Sequence, residues 1–133
     1  MNARELRSIL HVDDEPDIRE VVQLSLALMD GWNVHSVASG REAFTVLRDA
    51  APDLVLLDYM MPEMDGAAIL AALQADPATC HIPVVFMTAR SMPAEVARLV
   101  ASGAAAVIAK PFDPLKLGTQ LLDIWHSETG SLC

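Results

Sequence analysis

The sequence predicts an α/β domain in which a doubly wound, five-stranded parallel sheet carries helices on both faces. Five apolar runs of strand length, Ile9 to Val12, Trp32 to Val37, Leu54 to Leu57, Val84 to Met87 and Ala104 to Ala109, alternate with segments of helical periodicity. Three of these runs are nearly continuous rather than alternating, as strands covered on both faces require. The order is strand then helix throughout, and crossovers between parallel strands are right-handed almost without exception, so the helices distribute over both sides of the sheet.

Taken in order, the first strand gives way to a helix that begins at Pro16, a residue suited to a first helical turn. Ile18, Val21, Val22 and Leu26 provide its buried stripe and Gly31 its stop. After the second strand, Ser39-Gly40-Arg41-Glu42 fits a capping box, Phe44 and Leu47 face inward, and the helix must end before Pro52. Asp65 follows the third strand as the cap of a helix carrying Leu70 and Leu73 to a stop at Asp76-Pro77. A fourth helix spans about Pro93 to Ala101 and stops at Gly103; Asp113-Pro114 opens the last, with Leu117, Leu121 and Trp125 on one face. Residues 128–133 read as a flexible tail behind a domain of residues 1–127.

A chain of 133 residues is long enough for one core that buries roughly two thirds of the unfolded surface. No apolar stretch reaches membrane-spanning length, so membrane insertion is not expected, and the charged N-terminal segment lacks a signal region, which points to the cytoplasm. Cys80 and Cys133 are too few and too poorly spaced for a disulfide framework or a zinc site and read as ordinary free thiols. A net charge of -9 with only nine Lys and Arg argues against direct contact with nucleic acid, whose affinity comes largely from neutralising phosphates.

The polar residues that end the strands carry the chemistry. Asp13 and Asp14 follow the first strand, Asp58 the third, Thr88 the fourth and Lys110 the fifth, so a parallel sheet gathers them at its carboxyl edge, where open α/β folds place their ligand crevice. Two carboxylates about 4 Å apart repel by about 4 kcal/mol at an effective dielectric near 20, so the cluster needs a cation or must hold a proton. All the candidate ligands are oxygens, which selects a hard ion, and Mg²⁺ suits a site that keeps several waters. Asp13 and Asp14 alone read equally well as turn and cap residues. Asp58, directly after Leu54-Val55-Leu56-Leu57, has little structural reason to be there and can act as a nucleophile on phosphorus. Lys110 would clamp a phosphoryl oxygen; the Lys110-Pro111 bond is a candidate for the cis form. Thr88 is individually the weakest signal, since threonine is common in strands. His11, His35, His81 and His126 show no arrangement with a base or nucleophile and read as structural or surface residues.

Val12-Asp13-Asp14-Glu15-Pro16, Leu57 to Gly66, Met87-Thr88-Ala89 and Ala109-Lys110-Pro111-Phe112 together resemble the receiver domain of bacterial two-component response regulators, of the single-domain, chemotaxis-regulator-like kind, over about residues 6 to 126. The resemblance implies a flavodoxin-like strand order 2-1-3-4-5. It implies that Asp58 accepts a phosphoryl group from a histidine kinase or histidine phosphotransfer protein. Asp14, Asp58 and the carbonyl of Met60 would bind Mg²⁺ directly, Asp13 would hold a metal-bound water, and Thr88 and Lys110 would contact the phosphoryl oxygens. The chain is then a switch that catalyses only its own phosphorylation and dephosphorylation and acts by binding a downstream protein target, with a weak homodimer also open. Three positions depart from or modify the pattern. Val107 stands where the family usually has Tyr or Phe, and Met60 and Arg90 flank the route of the hydrolytic water. Rival expectations are a receiver cut from a larger hybrid kinase or transcription regulator, a phosphorylation-independent interaction scaffold, and a small aspartyl-phosphate phosphatase, against which stands the lack of a DxD pair around the nucleophile and of a covering cap.

Overall fold

The computed structural model describes residues 4–62 and 65–128. Five parallel strands, β1 (Ser8–Val12), β2 (Asn33–Val37), β3 (Leu54–Asp58), β4 (Val84–Thr88) and β5 (Ala106–Ala109), alternate with α1 (Pro16–Leu26), α2 (Gly40–Asp49), α3 (Gly66–Ala75), α4 (Pro93–Ala101) and α5 (Leu117–Ser127). The sheet order is β2-β1-β3-β4-β5, as expected. The three near-continuous apolar runs are the central strands: β3 and β4 are buried at every position and β1 at all but its first. The edge strands β2 and β5 are only partly covered.

Strand alternation divides the interior into two cores. Leu10 and Val12, Val55 and Leu57, and Val84 and Phe86 point to one face, where α2, α3 and α4 add Leu47, Ile69, Leu73 and Leu99. Ile9, Leu54, Leu56, Val85, Met87 and Ile108 point to the other, where α1 and α5 add Val22, Leu26, Leu117, Leu121 and Trp125. Each fully buried large aliphatic or aromatic side chain contributes roughly 1.5–3 kcal/mol by leaving water. The indole of Trp125 is satisfied by donating to the carbonyl of Arg4 at 2.6 Å.

Local signals place most element ends. Ser39 Oγ accepts from the backbone N–H of Glu42 at 3.2 Å, and Glu42 reaches back to the N–H of Ala38 rather than to that of Ser39, a capping box displaced by one residue. Asp65 Oδ1 accepts from the N–H of Ala68 at 2.9 Å. Two expected boundaries move. The first helix closes at Leu26, and the chain continues through tight turns to Gly31, whose φ of 77° is favourable only for glycine. The last helix begins at Leu117, because Asp113 Oδ1 and its carbonyl satisfy the N–H groups of Leu115, Lys116 and Leu117 in a separate turn. The Lys110-Pro111 bond is cis. Cys80 is disulfide-bonded, which corrects the expectation of an ordinary free thiol at this position; a single loop cysteine carries no spacing signal. Cys133 and all of the expected tail beyond Glu128, which caps α5, lie outside the described residues.

Candidate functional site at the carboxyl edge of the sheet

Parallel pairing fixes where the polar residues meet. Val12 lies opposite Leu57 and Asp58 opposite Met87, so Asp13 leaves β1 beside Asp58, and Thr88 ends the next strand, opposite Ala109. Oxygens of Asp13, Asp14 and Asp58 lie within 4.8 Å of one another. Asp13 is fully buried and Asp58 is 4% exposed, whereas Asp14 is half-buried at the rim. Lys110 comes over from β5 and spans the two buried acids, with Nζ 2.9 Å from Asp13 Oδ2 and 3.4 Å from Asp58 Oδ1.

Backbone donors complete the frame. Asp13 Oδ1 accepts from the N–H of Glu15 at 3.0 Å, and Arg19 donates to the Asp13 carbonyl at 2.8 Å. The N–H of Met60 points at Asp58 Oδ1 from 3.4 Å. Thr88, nearly buried, accepts from the N–H of Arg90 at 3.0 Å through its hydroxyl oxygen, which leaves the hydroxyl proton free to donate. The Met60 side chain is exposed.

Three acids and one lysine leave the cluster short of positive charge. Burial, and then the neighbouring Asp13, push the Asp58 carboxyl up to about 6, against the opposing pull of Lys110 and of the Met60 N–H. Burial alone would lower the Lys110 ammonium, but its contacts with Asp13 and Asp58 outweigh it and the net shift is upward. Oxygen-only donors with unbalanced negative charge fit a hard divalent cation.

Two features were not legible in the sequence. His11, read from the sequence as a structural or surface residue, is completely buried with Nε2 3.9 Å from Asp13 Oδ2, a placement the sequence did not indicate; His35, His81 and His126 are on the surface. A single polar residue in the apolar run Ile9 to Val12 was the available signal. Tyr59, next to Asp58, packs edge-on against Phe86 with centroids 5.2 Å apart, and Arg98 of α4 donates to its hydroxyl at 3.3 Å. Val107 lies opposite Phe86 in register and packs on the same core.

The family model for the response regulator receiver domain matches residues 9–122. The chain belongs to this family. Response regulator Rre1 of Synechocystis sp. is 41% identical over 110 residues, covering 83% of this receiver and 48% of that protein. The DNA-binding response regulator MtrA of Mycolicibacterium smegmatis is 37% identical over 109 residues, 82% of this chain and 46% of its own length. Among solved structures, chemotaxis response regulator CheY4 of Vibrio cholerae superposes with a TM-score of 0.82 at 29% identity, over 90% of this chain and 99% of that one. The receiver thus spans about half the length of the curated relatives it matches. Since one of those is named as DNA-binding, the expectation of no direct nucleic-acid contact finds no support: low Lys and Arg content describes this stretch alone. Receivers are signalling switches of two-component systems rather than enzymes with an external substrate. No helix among the described residues is long and apolar enough to cross a membrane.

Proposed function

We propose that this receiver, assigned to residues 1–127, is a cytoplasmic Mg²⁺-dependent switch that takes a phosphoryl group onto Asp58 from a phosphohistidine on a histidine kinase or phosphotransfer protein, and then binds a downstream protein. The observation that carries the reading is the bridging of Asp13 and Asp58 by Lys110 beside Asp14. Asp58 attacks phosphorus with a carboxylate oxygen; the phosphorus–nitrogen bond of the donor breaks, and the histidine leaves with the electron pair. An ionised carboxylate needs no general base, so the chain has little covalent work beyond placing the nucleophile in line.

Lys110, held between the two acids, is placed to transfer one of its donor contacts from Asp58 to an equatorial phosphoryl oxygen, and the free hydroxyl proton of Thr88 is available to a second. Asp14, Asp58 and the Met60 carbonyl would hold Mg²⁺, with Asp13 acting through a bound water. When present, the ion supplies charge neutralisation for the transferring group. Met60 and Arg90, both exposed, border the approach to Asp58 and so set access for the water that later hydrolyses the acyl phosphate.

Intact-mass measurement after incubation with a small acyl phosphate and Mg²⁺ tests the reading. One phosphoryl adduct is expected in the wild type and none in Asp58→Asn or in excess EDTA; an undiminished adduct in either would overturn the assignment.

A further inference from the structure

His11 is a polar residue set among buried apolar neighbours. It shares with Ile9 the face of β1 that α1 and α5 seal, among Leu54, Leu56, Val85 and Met87. The side chain is wholly buried, and Nε2 has no hydrogen-bond partner among the described residues. A buried polar atom left without a partner costs about 1–3 kcal/mol, so its retention calls for a role. Nε2 faces Asp13 Oδ2 at 3.9 Å. On the opposite side of the ring, Nδ1 is 3.2 Å from the hydroxyl of Ser36, its register partner on β2, and Gln23 Nε2 reaches that hydroxyl from α1 at 3.3 Å.

The protons along this row have one consistent arrangement. Gln23 Nε2 donates to the carbonyl of Val34 at 2.9 Å, and because a carbonyl only accepts, the amide nitrogen and not its oxygen faces inward. The same nitrogen is therefore a donor toward Ser36. Ser36 accepts from it and has its own proton left to give, and His11 Nδ1 is the acceptor within reach. With Nδ1 accepting from Ser36, the ring proton sits on Nε2. The opposite tautomer would turn a lone pair toward a buried carboxylate.

We propose that His11 is a positioning residue for Asp13, an imidazole whose Nε2–H, fixed through Ser36 and Gln23, faces the Asp13 carboxylate and sets its rotation. At 3.9 Å the interaction is a bond dipole directed at a charge rather than a formed hydrogen bond. It acts together with the Glu15 N–H, which holds the other oxygen. Its importance for transfer rests on the proposed phosphoryl acceptance: Lys110 is shared between Asp13 and Asp58, so once Lys110 also engages a phosphoryl oxygen, the rotation of Asp13 depends more on His11 and on the Glu15 N–H.

Long-range proton–nitrogen correlation spectra of metal-free wild type at neutral pH read the tautomer directly. The Nε2–H form is expected for His11, with Ser36→Ala raising the share of the Nδ1–H form. Phosphorylation by acetyl phosphate with Mg²⁺ reads the role: His11→Phe should slow the initial rate by roughly several-fold, and His11→Gln, which returns an N–H at similar reach, should restore most of it. A wild-type Nδ1–H tautomer overturns the inference without touching the proposed function, as does an unchanged rate in a folded His11→Phe. If His11→Phe fails to fold, the tautomer together with the rate of His11→Gln decides. A wild type that accepts no phosphoryl group removes the proposed function, and the tautomer alone then decides whether His11 faces Asp13 as stated.

Discussion

Asp58 illustrates how one side chain carries both the chemistry and a stability cost. Its folded carboxyl is raised to about 6 from an ordinary 3.8, so it favours the folded state while protonated, and that contribution is lost as pH rises through about 6. In metal-free protein, the melting temperature of wild type should therefore fall relative to Asp58→Asn between about pH 4 and pH 6; parallel curves would contradict this. Mg²⁺ should raise the wild-type melting temperature at neutral pH because it relieves repulsion that folding creates. Asp14→Ala should lose most of that rise and Asp13→Ala less of it. Retention of the full rise in Asp14→Ala would remove Asp14 from the ligand set. Asp13, Asp14, Asp58 and Lys110 were legible in the sequence because each ends an apolar run, and parallel strands put run ends on one edge. The ionic pattern among them was not legible: that Lys110 spans Asp13 and Asp58 depends on a side-chain path across two strands. His11 escaped because a lone polar residue in an apolar run gives no hint of which atom faces it.

At the level of elements, the absence of a ring at position 107 is set against the placement of Tyr59. Valine is stiff about its one side-chain torsion and cannot swing between buried and exposed positions. Tyr59 is tied to three elements: its N–H donates to Met87 of β4 and its ring meets Phe86 of the same strand, its carbonyl accepts from Gly66 of α3, and its hydroxyl accepts from Arg98 of α4. A Cβ on Gly66 would come within 3.0 Å of the Tyr59 backbone, so α3 seats against this loop only because that residue is glycine. Amide shifts on adding beryllofluoride should accordingly concentrate at residues 88–92 in the wild type and extend through 104–122 in Val107→Tyr. Equal and large changes across 104–122 in both would show the ring at that position to be unnecessary. Helix starts were legible wherever a side chain caps the helix, as with Ser39 and Asp65. The late start of α5 was not, because Asp113 caps a turn and a helix by the same local bond, and only tertiary packing chooses between them.

Across the whole molecule, the sheet separates two cores that share strands but no helices. Ile9→Val lies on the α1–α5 side and Ile69→Val on the other. Each should cost roughly 0.5–1.5 kcal/mol. Because the sheet lies between them, denaturant unfolding of the double variant should give the sum to within about 0.5 kcal/mol; a larger deviation would mean that the faces communicate through packing. Independence of that kind bears on descent as well as on folding. A lineage can alter the residues that α1 and α5 present outward while those of α3 and α4 stay as they were, and the reverse change is equally open. Duplicated copies would then part company one face at a time, each intermediate still folded and still sharing the same carboxylates.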